Sequence, residues 1–109
     1  MLTERDLILR LVRQLGELLA AVLRLRRGKR QDEALAQIDA ITGRLTGMDA
    51  GPLCRFGGAP LASLPRELKV PLACVLRQRA RLLRDSGRDA DAHDAFQAAR
   101  SLVRSARPD

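Results

Sequence analysis

The first 27 residues carry two interleaved rows of apolar side chains, and no other feature restricts the fold of this chain so tightly. Ile8, Leu11, Leu15, Leu18, Val22 and Leu25 step by three and four, and so do Leu9, Val12, Gly16, Leu19 and Leu23. Such steps put side chains on one face of an α-helix, whose period is 3.6 residues. Asp6, Arg10, Arg13, Glu17 and Arg24 fill the remaining stripe. Thr3 is a natural N-cap, and Asp6 stands in for the Glu of a capping box, so the helix is predicted over 4–27. An ordinary surface helix needs one apolar stripe of roughly 100°. Two rows predict burial on two sides: either this is the central helix of the fold, or one row meets a second subunit. Gly16 costs roughly 1 kcal/mol in helix propensity relative to Ala, and a close helix–helix approach is its expected reason.

The rest of the chain extends the same reading. At 109 residues it is one domain with room for a real core. It holds 20 Leu and 16 Ala, two Phe, no Trp and no Tyr, a composition that predicts an all-α fold and argues against a sheet. After a turn around Gly28, a second helix is expected from near Asp32 to Gly47, burying Ala34, Leu35, Ile38, Ile41 and Leu45. Residues 47–65 contain Gly47, Gly51, Pro52, Gly57, Gly58, Pro60 and Pro65 and read as connection with one short helical turn. Leu53, Phe56, Leu61 and Leu64 are expected to pin it to the core. Ser63 and Pro65 open a short turn through Lys69, and Pro71 suits the first turn of a third long helix, 71–86. Its face is Leu72, Val75, Leu76, Ala80 and Leu83, with Gly87 as C′ residue. Asp89 is expected to cap a last helix over 90–106, whose face is Ala92, Ala95, Phe96, Ala99, Leu102, Val103 and Ala106. The predicted architecture is two antiparallel helical hairpins, 4–46 and 66–106, joined by the connection 47–65.

Leu76, Ala80, Leu83, Gly87, Ala92, Phe96 and Ala99 fall at the principal positions of a tetratricopeptide repeat (TPR), and the segment Leu76–Ala99 resembles that motif. A shift of 58 residues overlays the first hairpin: Leu18 on Leu76, Val22 on Ala80, Leu25 on Leu83, Ala34 on Ala92, Ile38 on Phe96 and Ile41 on Ala99. The overlay departs from the motif in its spacing and in lacking the large aromatic near its start. The whole chain also resembles a family of small, uncharacterised bacterial helical proteins. The matching residues are Asp6, Arg10, Gln14 and Leu15 in the first helix, Gly47-Met48-Asp49 in the connection, and the TPR-like closing hairpin. That resemblance implies the fold and supplies no site.

Charge gives the second candidate surface. Twenty Lys plus Arg against 13 Asp plus Glu leave a net +7, and 18 of the 20 basic residues are Arg. A basic small domain points to a polyanion, although Arg-rich, Lys-poor usage is also what a GC-rich genome supplies. Arg24, Arg26, Arg27, Lys29 and Arg30 cluster at the first hairpin turn; Arg77, Arg79, Arg81, Arg84 and Arg88 line the second. If the hairpins pack side by side, Arg24, Arg26, Arg27, Lys29, Arg30, Arg81, Arg84 and Arg88 form one basic edge able to hold phosphates by charge. No aromatic accompanies either cluster to stack a base, and cations are expected at helix C-termini in any case.

Chemistry-bearing groups are sparse. Cys54 and Cys74 lie 20 residues apart without a CxxC pattern or a neighbouring His, and two reduced thiols are expected. Asp85, Asp89, Asp91, His93 and Asp94 match no calcium or zinc spacing. Arg55-Phe56-Gly57-Gly58 lacks the setting of a phosphate loop, and the single His leaves no triad to build. No catalytic residue, cofactor or metal is expected. The charged start and the charges inside the first helix argue against export and against a membrane span, so a cytoplasmic location is expected. The expected function is a non-catalytic helical protein–protein interaction module, a homodimer with its seam at Leu9, Val12, Gly16, Leu19 and Leu23. The alternative is a nucleic-acid-associated protein using the Arg-rich turns.

Overall fold

The computed structural model describes residues 3–56 and 58–107, and among them every regular element is a helix. In chain order these are α1 (Glu4–Arg27), α2 (Gln31–Thr46), α3 (Ala50–Phe56), α4 (Gly58–Ala62), α5 (Arg66–Asp85) and α6 (Asp89–Ala106). The N-terminus of α1 forms as its residues dictate. The Asp6 N–H donates to Thr3 Oγ1 at 3.1 Å and the Thr3 N–H to Asp6 Oδ2 at 3.3 Å, a reciprocal capping box. Gly47 ends α2 in the left-handed region at φ +74°, where an L side chain is strained.

The central helix is α5, not α1. Eleven of its residues are buried, among them Leu72, Leu76, Ala80 and Leu83, and it packs on α6, α1 and α2. Only Leu15 and Val22 are buried on α1. Three polar side chains enter the interior with α5, each with a partner. Arg79, 6% exposed, donates from Nε to Asp39 Oδ1 of α2 at 3.2 Å. Lys69 Nζ donates to Ser105 Oγ at 2.6 Å, and beside it the exposed Arg66 donates from Nε to the Ala106 carbonyl at 2.9 Å. These two cations sit at the C-terminal end of α6, where carbonyls lack helical partners and the helix dipole favours positive charge. Gln78 accepts from Arg26 Nη1 at 3.5 Å.

Several sequence expectations need correction. The third long helix is not 71–86 preceded by a separate turn: α5 runs without a break from Arg66, with Pro71 inside it. Pro71 has no N–H for the Glu67 carbonyl, but that forfeits one bond near the helix start while Leu68 and Leu72 on either side are buried in the core. The connection 47–65 is mostly helical, as α3 and α4. Leu53 and Leu61 pin it and Leu64 packs at its margin, whereas Phe56 is 72% exposed and pins nothing. Asp89 lies inside α6; its N-cap is Arg88, whose guanidinium holds Asp91 at 2.8 Å. Gly16 makes no close approach within the chain, since a Cβ built there meets nothing within 4 Å.

The joints α1–α2 and α5–α6 are equivalent at the 58-residue shift. Gly28 (φ −80°, ψ 4°) matches Ser86 (φ −91°, ψ 5°), and Arg30 (φ −97°, ψ 59°) matches Arg88 (φ −95°, ψ 66°). Between them Lys29 and Gly87 both have positive φ, 59° and 79°. The Arg30 N–H donates to the Leu25 carbonyl at 2.8 Å and the Arg88 N–H to the Leu83 carbonyl at 2.8 Å. Each N-cap arginine then pairs with an acid three residues on, Arg30 with Glu33 and Arg88 with Asp91.

Candidate interaction surface

The two apolar rows of α1 have different fates. In the first, Leu15 and Val22 are buried, and Leu11, Leu18 and Leu25 pack against the core at half-burial. The second row lies mostly outside. Val12 is drawn into the core margin, but Leu9 is 54% exposed, Gly16 is exposed, and Leu19 and Leu23 are half-buried without joining the core cluster. Of the sequence-predicted seam, therefore, Leu9 and Gly16 are exposed and Leu19 and Leu23 partly so, over about four turns, roughly 21 Å at 1.5 Å per residue. A shallow groove beside its start is lined by Glu4, Arg5, Ile8, Leu9 and Glu67. Leu7 and Val70, both close to half exposed, add apolar surface on α1 and α5.

The two Arg-rich joints meet, and much of their charge is spoken for. The two joints touch: Arg26 holds Asp85 Oδ2 from Nε at 3.4 Å and from Nη2 at 3.3 Å, and Ser86 Oγ donates to Gln31 Oε1 at 3.2 Å. Arg30 and Arg88 have their own acids, and the Arg84 guanidinium lies 5.8 Å from the centre of the Phe96 ring. Arg24, Arg27, Lys29 and Arg81 are left without a carboxylate within 4 Å among the described residues. Arg79, grouped with the cations of the second hairpin in the sequence, lies inside the fold. Nothing in the local pattern marks it, because its partner Asp39 is 40 residues away.

A third feature has no counterpart in the sequence reading. Cys54, Phe56, Leu61, Ala98, Ser101 and Leu102 line an open groove of about 510 Å³ between α3, α4 and α6. Arg55 lies over the Phe56 ring at 5.7 Å and 3.9 Å from Asp94. Its signal was Phe56 itself, an aromatic at a helix end before Gly57-Gly58. Burial pushes the Cys54 thiol above the ordinary thiol range, with the nearby Arg79 charge opposing the shift. Cys74 is half-buried on α5, and neither sulfur is in a disulfide. His93 is exposed on α6, 3.5 Å from Gln97, and Asp85 is held by Arg26. Among the described residues, no three His, Cys, Asp or Glu side chains gather as metal ligands, and no helix is long and apolar enough to cross a membrane. Comparison with known family models, curated proteins and solved structures gives no match.

Proposed function

We propose that this chain is a non-catalytic helical protein–protein interaction module that associates with a second copy through the outer row of α1. The observation that carries this reading is that Leu9 and Gly16 are exposed on one face of α1 and that Leu19 and Leu23 on the same face stay half-exposed outside the core cluster. Removing apolar surface from water contributes about 25 cal/mol per Å², so three leucines on each copy supply several kcal/mol toward association. The equivalent joints at Gly28–Arg30 and Ser86–Arg88 support a fold of two antiparallel, TPR-like hairpins. The resemblance to small bacterial helical proteins and the cytoplasmic location belong to the same proposal and rest on the residues alone.

Sedimentation or light scattering across micromolar concentrations tests it. The expected result is a dimer mass that Leu19→Asp converts to a monomer while the helical spectrum is kept. A wild-type monomer throughout that range overturns the reading. A second reading, polyanion binding, has Arg24, Arg27, Lys29 and Arg81 in its favour. It predicts nucleic-acid affinity that falls steeply with salt and weakens in Arg24→Gln/Arg27→Gln.

A further inference from the structure

We propose that the seam between α5 and α6 is a docking surface for an acidic amphipathic helix of another protein. Two observations carry this: the one-sided charge of the seam and the spacing of its arginines. Neither involves the outer row of α1, so the assignment stands apart from self-association. From Leu68 to Arg84, α5 carries no acid, and from Ala95 to Arg107 neither does α6. The stripe of α5 outside the core steps by four and three through Val70, Cys74, Arg77, Arg81 and Arg84. The two helices lie antiparallel, with Arg84 over the Phe96 ring near the joint and Lys69 on Ser105 at the far end. From Phe96 the adjoining stripe of α6 steps through Arg100, Val103 and Arg107. Arg77, Arg84, Arg100 and Arg107 are exposed. Among the described residues, none of these four, nor Arg81, has a carboxylate within 4 Å.

The helix dipole does not account for this charge. Its influence is confined to the last turn, whereas Arg77 lies about two turns before the end of α5 and Arg100 nearly as far before the end of α6. Arg77 and Arg84 are seven residues apart, as are Arg100 and Arg107, so each pair spans about 10.5 Å along its helix. A third helix laid along the seam repeats on the same interval, and carboxylates seven residues apart on it meet both pairs. The side chains between the arginines suit the apolar stripe of such a helix. Phe96 and Val103 are half-buried at the core margin, and Val70 is 48% exposed. Nucleic acid is served less well, because the Phe96 ring lies between the core and Arg84 and has no free face for a base. A second copy of the chain, itself at net +7, is not the acidic partner.

Fluorescence anisotropy with a labelled synthetic peptide tests the assignment on the full chain. The probe is a helix-forming peptide with a Leu stripe bordered on each side by Glu at every seventh residue. Its scrambled isomer and a single-stranded RNA of equal charge serve as competitors. The peptide is expected to bind and to be displaced poorly by either. Arg77→Glu/Arg100→Glu is expected to weaken binding about tenfold or more, two attractions being lost and two repulsions gained. Arg10→Glu/Arg13→Glu makes the same change in net charge on the solvent stripe of α1, and is expected to leave affinity within about twofold. Circular dichroism checks that both variants keep their helices, and Arg77→Gln/Arg100→Gln, which adds no acid, is expected to show a smaller loss in the same direction. Absence of peptide binding, equal binding of the scrambled isomer, or equal losses in the two Glu variants overturns the proposal. Tighter binding of the RNA through the same arginines also overturns it and assigns the seam to a phosphate backbone.

Discussion

Helices α1 and α5 invert the usual relation between apolar content and burial. The first has thirteen aliphatic side chains among its 24 residues and buries two of them. The second is more polar, carries Lys69, Gln78 and Arg79 into the interior, and buries eleven of 20 residues. Position in the fold, not apolar count, sets burial: α5 has neighbours on three sides and α1 on two. A helix can be central while charged if each buried polar group meets a partner, as Arg79 meets Asp39 and Lys69 meets Ser105. On α1 the apolar count exceeds what α2 and α5 cover, and the surplus stays outside the core cluster.

Truncations sharpen this contrast most. Leu76→Ala, at a fully buried position of α5, is expected to lower the unfolding free energy by about 3 kcal/mol in a denaturant titration. Leu19→Ala on α1 is expected to cost under about 1 kcal/mol in the dissociated protein, because little of its contact is intramolecular; equal losses would erase the distinction. Asp39→Ala comes next, at about 2 kcal/mol, because it leaves the Arg79 guanidinium buried without its acid. Arg79→Met is expected to cost less, since Asp39 is half exposed and water reaches the carboxylate left behind. Gly16→Ala then splits the two roles of α1. At dilution it is expected to raise stability by up to about 1 kcal/mol through helix propensity, with open space for the methyl group. At high concentration it is expected to weaken association, and a gain in both would exclude close approach at Gly16. The smallest effect concerns Cys54. Its raised thiol is expected to alkylate more slowly than an unfolded thiol at mildly alkaline pH. The stability it lends is present below the unfolded thiol pKa and is lost as pH rises through the folded value, a decline that Cys54→Ala should remove.

What the sequence made legible was local. The capping box of Thr3 and Asp6, the stop at Gly47 and the face Leu72, Val75, Leu76, Ala80, Leu83 depend on neighbours within a few turns, and each formed as read. Pro71 was misread because the preference of Pro for a first helical turn reflects only the backbone bond it lacks and takes no account of tertiary packing. Burial of Leu68 and Leu72 outweighed one missing backbone bond and carried the helix through. Asp89 was misread as a cap for a similar reason, since the joint geometry shared with Gly28–Arg30 places Arg88 there instead. The centrality of α5 was not legible at all. It depends on pairings such as Arg79 with Asp39 and Arg26 with Asp85, which join residues 40 and 59 positions apart. The second apolar row could be named from spacing; its partial exposure could not, because the local pattern does not say which row α5 covers.

The placement of α5 at the centre also sets an order of events during synthesis. Helix α1 is made before the helix that covers its first row, and 58 residues separate Arg27 from Asp85 at their C-terminal ends. At about 5–20 residues per second that interval is roughly 3–12 s, far longer than a helix needs to form. For most of it, α2 is the only long helix available to cover α1. Two nascent chains on neighbouring ribosomes would offer each other the same stripe before either had finished its own core.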